Sequence, residues 1–272
     1  MGGALSVITI GIDPTVDLGP ITLAWHGTTI ALGILIGGVV AGYYGRNRGL
    51  DTAPFYTIAI ILVGASLVGG RLFFLAEHGQ LLDPGEWFGT QGFTLYGGVV
   101  GAAIGIAIYI LRQRIGVAYL DAVAFGFPLG LSIGRIGDVI NGEHFGPATT
   151  FFLGVQNTHP DALTPSPDLA YHSGGMYEVI LGAAVFLIVL SLRPYLQRPF
   201  AMSWTVLALI AIGRFLEFFI RSDSDTLALG LETAQWTSLA LIAIVAVGAW
   251  WTLGRGQTRP SGPPKPATRA GP

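Results

Sequence analysis

Seven stretches of the chain are long and apolar enough to cross the hydrocarbon core of a bilayer, which takes about 20 residues as a helix. They cover residues 22–44, 55–76, 94–111, 118–141, 175–192, 201–221 and 233–253 of 272. Inside lipid the polar groups of the backbone must pair among themselves, so such a chain folds as a bundle of helices. Only 11% of the residues are charged, where soluble domains carry about 25%, and the mean hydropathy is +0.62. The expected fold is an all-α polytopic membrane protein: one seven-span domain over 1–253 and a disordered basic tail over 254–272.

Charge sets the expected orientation. Loops 45–54, 112–117 and 193–200, together with the tail, hold ten of the fourteen basic residues. Basic loops stay on the cytoplasmic side, so the N-terminus is expected outside and the C-terminus inside. Residues Met1–Pro20 carry Asp13 and Asp17 and no basic run, unlike a cleaved signal peptide. The outer loops, 77–93 and 145–174, are rich in Gly, Pro, Asp and aromatic residues. The second is expected to form a small cap, with no segment periodic enough to assign as helix or strand. Ladders of small residues, Gly97-Gly101-Gly105 and Gly126-Gly130-Gly134, predict close helix contacts.

The four remaining basic residues, Arg71, Arg135, Arg214 and Arg221, lie in or at the ends of spans. A charge at the centre of a bilayer costs at least roughly 2.5–3.5 kcal/mol and marks a polar cavity or a paired site. Arg135 opens the densest polar run: Gly134-Arg135-Ile136-Gly137-Asp138-Val139-Ile140-Asn141-Gly142-Glu143-His144-Phe145-Gly146. Asp138, three residues on, shares its helical face and can pair with it. Guanidinium binds phosphate through two parallel hydrogen bonds, and a lipid phosphate is the anion available at that depth. Arg214 and Arg221, seven apart, share a face with Glu217 between them; a structural triad would give the same pattern. Arg71 reads equally as an interface anchor. His26, beside Trp25, and Tyr96 suit the interfacial belt as well as a site, and Glu178 suits a helix start.

Several chemistries are excluded. With no cysteine in the chain, any thiol must come from a partner. The only lysine is Lys265, in the tail, so there is no intramembrane Schiff base. No P-loop and no convincing metal-ligand spacing occur, and nothing suggests a nucleic-acid partner. All five histidines and fourteen of the sixteen acidic residues fall on the expected outer side.

The run from Gly134 to Gly146 resembles the signature of the prolipoprotein diacylglyceryl transferase family, Gly-Arg-x-Gly-Asn-x-x-Asn-Gly-Glu-x-x-Gly. Trp25-His26-Gly27, Gly70-Arg71, Tyr96-Gly97-Gly98, His172 with Tyr177-Glu178, and Arg214-Phe215 with Glu217-Phe218 match in order. The resemblance implies transfer of the diacylglyceryl group of phosphatidylglycerol to the thiol of a lipobox cysteine in a preprolipoprotein, with release of glycerol phosphate. It implies a bacterial plasma membrane enzyme, with its site towards the outer leaflet and no metal or soluble cofactor. Arg135, Asp138, Asn141, Gly146 and Arg221 are implied in phosphatidylglycerol binding. Arg214, Glu143, His26 and Tyr96 are implied in catalysis.

Three positions depart from the pattern. The family's histidine before Gly-Gly is Tyr96, and its tyrosine after Trp is His26, as though the pair had exchanged places. The first asparagine of the signature is Asp138, a carboxylate that repels phosphate unless it is neutralised. Glu217 follows Arg214 by three residues instead of four, which suggests either a local helical irregularity in the sixth span or a glutamate that points elsewhere. Two other readings compete: a non-enzymatic anionic-lipid binder of the same fold, favoured by the lost histidine, and a transporter, disfavoured by the lack of an inverted repeat.

Overall fold

A computed structural model describes residues 7–19, 21–87, 94–221 and 226–254. The molecule is mostly helical, and each of the seven apolar stretches contains a helix: α1 (Trp25–Arg46), α2 (Ala53–Glu77), α3 (Leu95–Gln113), α4 (Ala118–Gly134) with α5 (Ile136–Asn141), α6 (Gly174–Leu192), α7 (Ala201–Glu217) and α8 (Thr233–Ala249). Five segments are long and apolar enough to cross a membrane: Trp25–Arg46, Ala53–Glu77, Ala118–Asn141, Gly174–Leu192 and Thr233–Gly254. Large apolar side chains face outward along them, as at Leu35, Ile60 and Val247. The tail from residue 255 lies outside the described residues, and loop 77–93 is described as far as Trp87.

Small residues bring the helices into backbone contact. A Cβ added to Gly126 would lie 2.1 Å from the Gly37 carbonyl oxygen, and one on Gly33 would lie 2.3 Å from that of Gly130. Helices α1 and α4 therefore touch along the expected ladder. Gly97 and Gly101 pack in the same way against Gly69, which joins α3 to α2.

Two ends of the bundle differ in chemistry. At one end Tyr44 stacks on Phe125 with ring centroids 4.2 Å apart, in a core with Phe55, Tyr119, Val189 and Met202. Asp121 is buried there. It accepts from Phe200 N at 2.8 Å, Ser203 N at 2.9 Å and Ser203 Oγ at 2.7 Å, satisfying the first turn of α7.

The opposite end carries short strands. β1 (Ile8–Ile10), β4 (Phe145–Ala148), β5 (Val155–Asn157) and β6 (Tyr171–Ser173) form a four-stranded sheet in the order β1-β5-β6-β4. β1 runs parallel to β5, and the other pairs are antiparallel. The expected all-α fold thus carries a sheet in its cap, where the sequence assigns neither helix nor strand. Three- and four-residue strands are too short to show an alternating pattern, and the partner of β5 comes from the far N-terminal segment. Two hairpins, β2 (Thr15–Leu18) with β3 (Ile21–Ala24) and β7 (Thr226–Ala228) with β8 (Leu231–Glu232), precede α1 and α8.

Candidate active site

Three breaks in helical geometry converge below the sheet. The first is at Arg135, the single residue between α4 and α5. Thr29 of α1 bridges this break: its Oγ1 donates to Gly134 O at 2.8 Å and accepts from Gly137 N at 3.1 Å. Gly137 is required there, because a Cβ would fall 2.6 Å from His26 Cα. The second break ends α5. Gly142 adopts φ 72° and His144 φ 59°, turning the chain so that Glu143 N bonds Asp138 O at 2.9 Å. Asn157 of β5 donates to Val139 O at 2.9 Å and Ile140 O at 3.0 Å, satisfying carbonyls that α5 leaves open. The third break ends α7 after Glu217, where Phe219 and Ile220 bond back three residues, to Leu216 and Glu217. Between Arg214 and Glu217 α7 is regular helix, so the tight turn follows the pair and the irregularity expected between them is not found there.

These breaks surround a cavity of about 730 Å³ lined by α1, α2, α4 and the end of α7. One end is polar, with His26, Arg135, Glu143, His144, Arg214 and Arg221. The remainder is apolar, with walls that include Ile30, Ile34, Ile58, Leu62 and Phe127 and a floor of backbone at Gly33, Gly37 and Gly38.

The polar end is a chain of alternating charge. His26 Nδ1 lies 2.5 Å from Asp138 Oδ1, and Asp138 Oδ2 accepts from Arg135 Nη1 at 2.5 Å. Arg135 Nε pairs with Glu178 Oε2, and Glu178 Oε1 accepts from Arg214 Nη1. Arg214 and Arg221 lie over Phe218, at 5.3 Å and 4.3 Å from the ring centroid. Arg221 Nη2 is 2.8 Å from His144 Nδ1, and its Nη1 is 3.7 Å from Glu217 Oε1. Asn141 donates to Glu143 Oε1 at 2.9 Å. Asp138 is 0% and Glu178 1% exposed. Burying an unpaired carboxylate costs several kcal/mol, and here each carboxylate is held from two sides. Arg135 Nη2 has no partner among the described residues, so one face of that guanidinium can take an anion from the cavity.

His26, Arg135, Asp138, Asn141, Glu143, Arg214 and Arg221 thus meet in one site. Gly146 contributes differently: it is buried, and a Cβ there would lie 2.1 Å from Ile220 O, so it lets β4 pass the end of α7. Helix α3 includes the backbone of Tyr96, but its side chain lies outside the described residues, and with it the proposed exchange with His26. Arg71 stands apart, its Nε donating to Glu86 O at 3.1 Å. His172 pairs with Tyr177 Oη at 2.5 Å and does not line the cavity. Sequence reasoning undervalued Glu178, treated as a helix-start residue. The signal was available: a carboxylate inside an apolar span needs a cation, and two arginines were waiting for partners.

His26, Asp138 and Glu143 offer ligand atoms within 4.8 Å of one another, as do Asp13, His159 and Asp161. In the first group Arg135 already supplies the cation, in hydrogen-bond contact with Asp138. The second group is largely exposed.

Residues 14–251 match the family profile described as prolipoprotein diacylglyceryl transferase. The chain is 31% identical over 248 residues to the phosphatidylglycerol–prolipoprotein diacylglyceryl transferase of Thermosynechococcus vestitus, covering 87% of this chain and 90% of that one. It is 30% identical over 253 residues to the protein of the same name from Symbiobacterium thermophilum, covering 90% and 94%. A third protein of that name, from Dehalococcoides mccartyi, is 29% identical over 242 residues, covering 86% and 92%.

Proposed function

The chain belongs to the prolipoprotein diacylglyceryl transferase family, and on that premise we propose that it transfers diacylglyceryl from phosphatidylglycerol to a lipobox cysteine thiol. The products are a thioether-linked prolipoprotein and glycerol phosphate. The observation that carries this reading is the two-part cavity, with arginines at one end and apolar walls beyond them. That is the chemistry of an anionic phospholipid laid lengthwise. The chain has no cysteine, so the thiol enters with the second substrate, as the reaction requires.

Arg135 binds the lipid phosphate through the guanidinium face that Asp138 and Glu178 leave open. Arg135 also answers the objection to Asp138: its guanidinium neutralises one oxygen of the carboxylate, and His26 holds the other. Asn141 and Glu143 shape the headgroup pocket, and Gly146 keeps β4 close enough to seat Arg221 above Phe218. Arg214, assisted by Arg221, stabilises charge on the departing phosphate, the kind of preorganised contact that most lowers a barrier. The proton acceptor for the thiol comes from the pair His26 and Tyr96.

The bundle lies in a bacterial plasma membrane with seven spans, its N-terminus outside and the tail over 254–272 in the cytoplasm. The strand-bearing end and the cavity mouth face the outer leaflet. The loop charges support this orientation, since Arg46, Arg48, Arg112, Arg114, Arg193 and Arg198 sit at the opposite end. The decisive experiment incubates purified protein with phosphatidylglycerol and a lipobox peptide and weighs the peptide. A diacylglyceryl adduct that disappears in Arg135→Ala supports the reading, and no adduct from folded wild-type protein refutes it.

A further inference from the structure

Resting on that transferase reading, we propose that His26 and Asp138 act as a proton-accepting pair: Asp138 fixes the tautomer of the imidazole, and His26 Nε2 takes the proton of the incoming thiol.

The argument starts from donors and acceptors. Asp138 Oδ1 lies 2.5 Å from His26 Nδ1. An ionised carboxylate only accepts, so the hydrogen is on Nδ1, and in the neutral ring the lone pair is on Nε2. Asp138 cannot turn away, because it is fully buried and Arg135 Nη1 holds its other oxygen. Glu143 Oε2, 3.4 Å from the same Nδ1, reinforces the tautomer. The His26 side chain is 38% exposed and lines the cavity, and no described group hydrogen-bonds Nε2. His144, the other histidine of the cavity, is differently placed. A guanidinium only donates, so Arg221 Nη2 at 2.8 Å occupies the lone pair of His144 Nδ1. The lone pair of His26 faces substrate, and that of His144 is taken.

The step balances as follows. The S–H proton moves to His26 Nε2. The thiolate sulfur bonds the glyceryl carbon as the bond from that carbon to the phosphate oxygen breaks. The electron pair goes to that oxygen, beside Arg214. The proton on Nε2 then passes to the glycerol phosphate, which leaves as His26 returns to its neutral form. Asp138 is a positioning residue and exchanges no proton.

A selenocysteine peptide tests this, because a selenol is ionised near neutral pH without a base. Wild-type protein, His26→Ala and Asp138→Asn are each given phosphatidylglycerol with a cysteine or a selenocysteine lipobox peptide. His26→Ala is expected to slow the cysteine reaction by roughly 10²–10⁴-fold and the selenocysteine reaction far less. Asn offers one acceptor and one donor, so it cannot serve both His26 and Arg135. Asp138→Asn is therefore expected to slow cysteine transfer at least about tenfold, sparing selenocysteine, and to change the ¹⁵N ring shifts of His26 towards mixed tautomers. Equal but measurable slowing of both peptides, or unchanged ring shifts in Asp138→Asn, overturns the pair. Should His26→Ala lose both reactions, His26→Gly with added imidazole decides: recovered cysteine transfer supports the pair, and none overturns it. Wild-type protein that modifies neither peptide is a different result, which refutes the transferase reading itself.

Discussion

Arg135, at the break between α4 and α5, and Arg214, in the last turn of α7, are held by the two oxygens of one buried carboxylate, Glu178. Three separate helices are thereby fixed at one point, and the arginines are aimed before any substrate arrives. Removing one partner of a buried pair leaves the other charge uncompensated, at a cost of about 3–5 kcal/mol. Glu178→Ala should lower stability by that order, read as a loss of thermal stability in detergent, with transfer lost as well. Glu178→Gln, which keeps one acceptor, should retain more stability than activity.

Arg214→Lys preserves charge and discards the planar fork. Its proposed work lies on the departing phosphate, so kcat should fall on the order of 10²–10³-fold, with KM for phosphatidylglycerol little changed. Initial rates over a lipid titration check this. A rise in KM at constant kcat would move Arg214 to the ground state.

Two glycines on different helices, Gly27 beside His26 in α1 and Gly137 packed against it from α5, should respond in opposite ways. A Cβ on Gly137 meets Thr29 Oγ1 at 2.4 Å and backbone at His26 Cα, whereas one on Gly27 meets nothing within 4 Å. Gly137→Ala should cost about 1–3 kcal/mol through forced separation of α5 from α1. Gly27→Ala should be neutral or stabilise by up to about 1 kcal/mol, since alanine favours the helix. Paired unfolding curves measure both.

Asp121 tests whether the far end of the bundle is structural. It accepts three hydrogen bonds from Phe200 and Ser203 and lines no part of the cavity. Asp121→Ala should therefore destabilise by about 1–2 kcal/mol, as a lost cap does. The rate per folded molecule should be preserved, measured below the unfolding temperature.

The sequence made the helices readable because membrane length and apolarity are one-dimensional properties, and the residue order from Gly134 to Gly146 announced a polar site. The glycine ladders told that α3 and α4 would be packed closely, but not which helices they would meet. What stayed hidden depends on pairing across the chain. The sheet joins β1 to β5 through segments too short for a period. Glu178 is anonymous until α6 is placed between Arg135 and Arg214. Asp138 read as an obstacle to phosphate, and only its contacts with His26 and Arg135 turn it into a shared acceptor.

The glycine floor of the cavity has a consequence for which lipids fit. Where the acyl chains would run, α1 presents bare backbone at Gly33, Gly37 and Gly38. Gly33 and Gly37 are pressed against α4, but a Cβ at Gly38 would touch nothing within 4 Å. The depth open to a fatty chain is therefore adjustable at a single position, without disturbing the bundle. A larger side chain there, as in Gly38→Leu, should act as a stop on a ruler, shifting preference towards shorter acyl chains when phospholipids of two lengths compete.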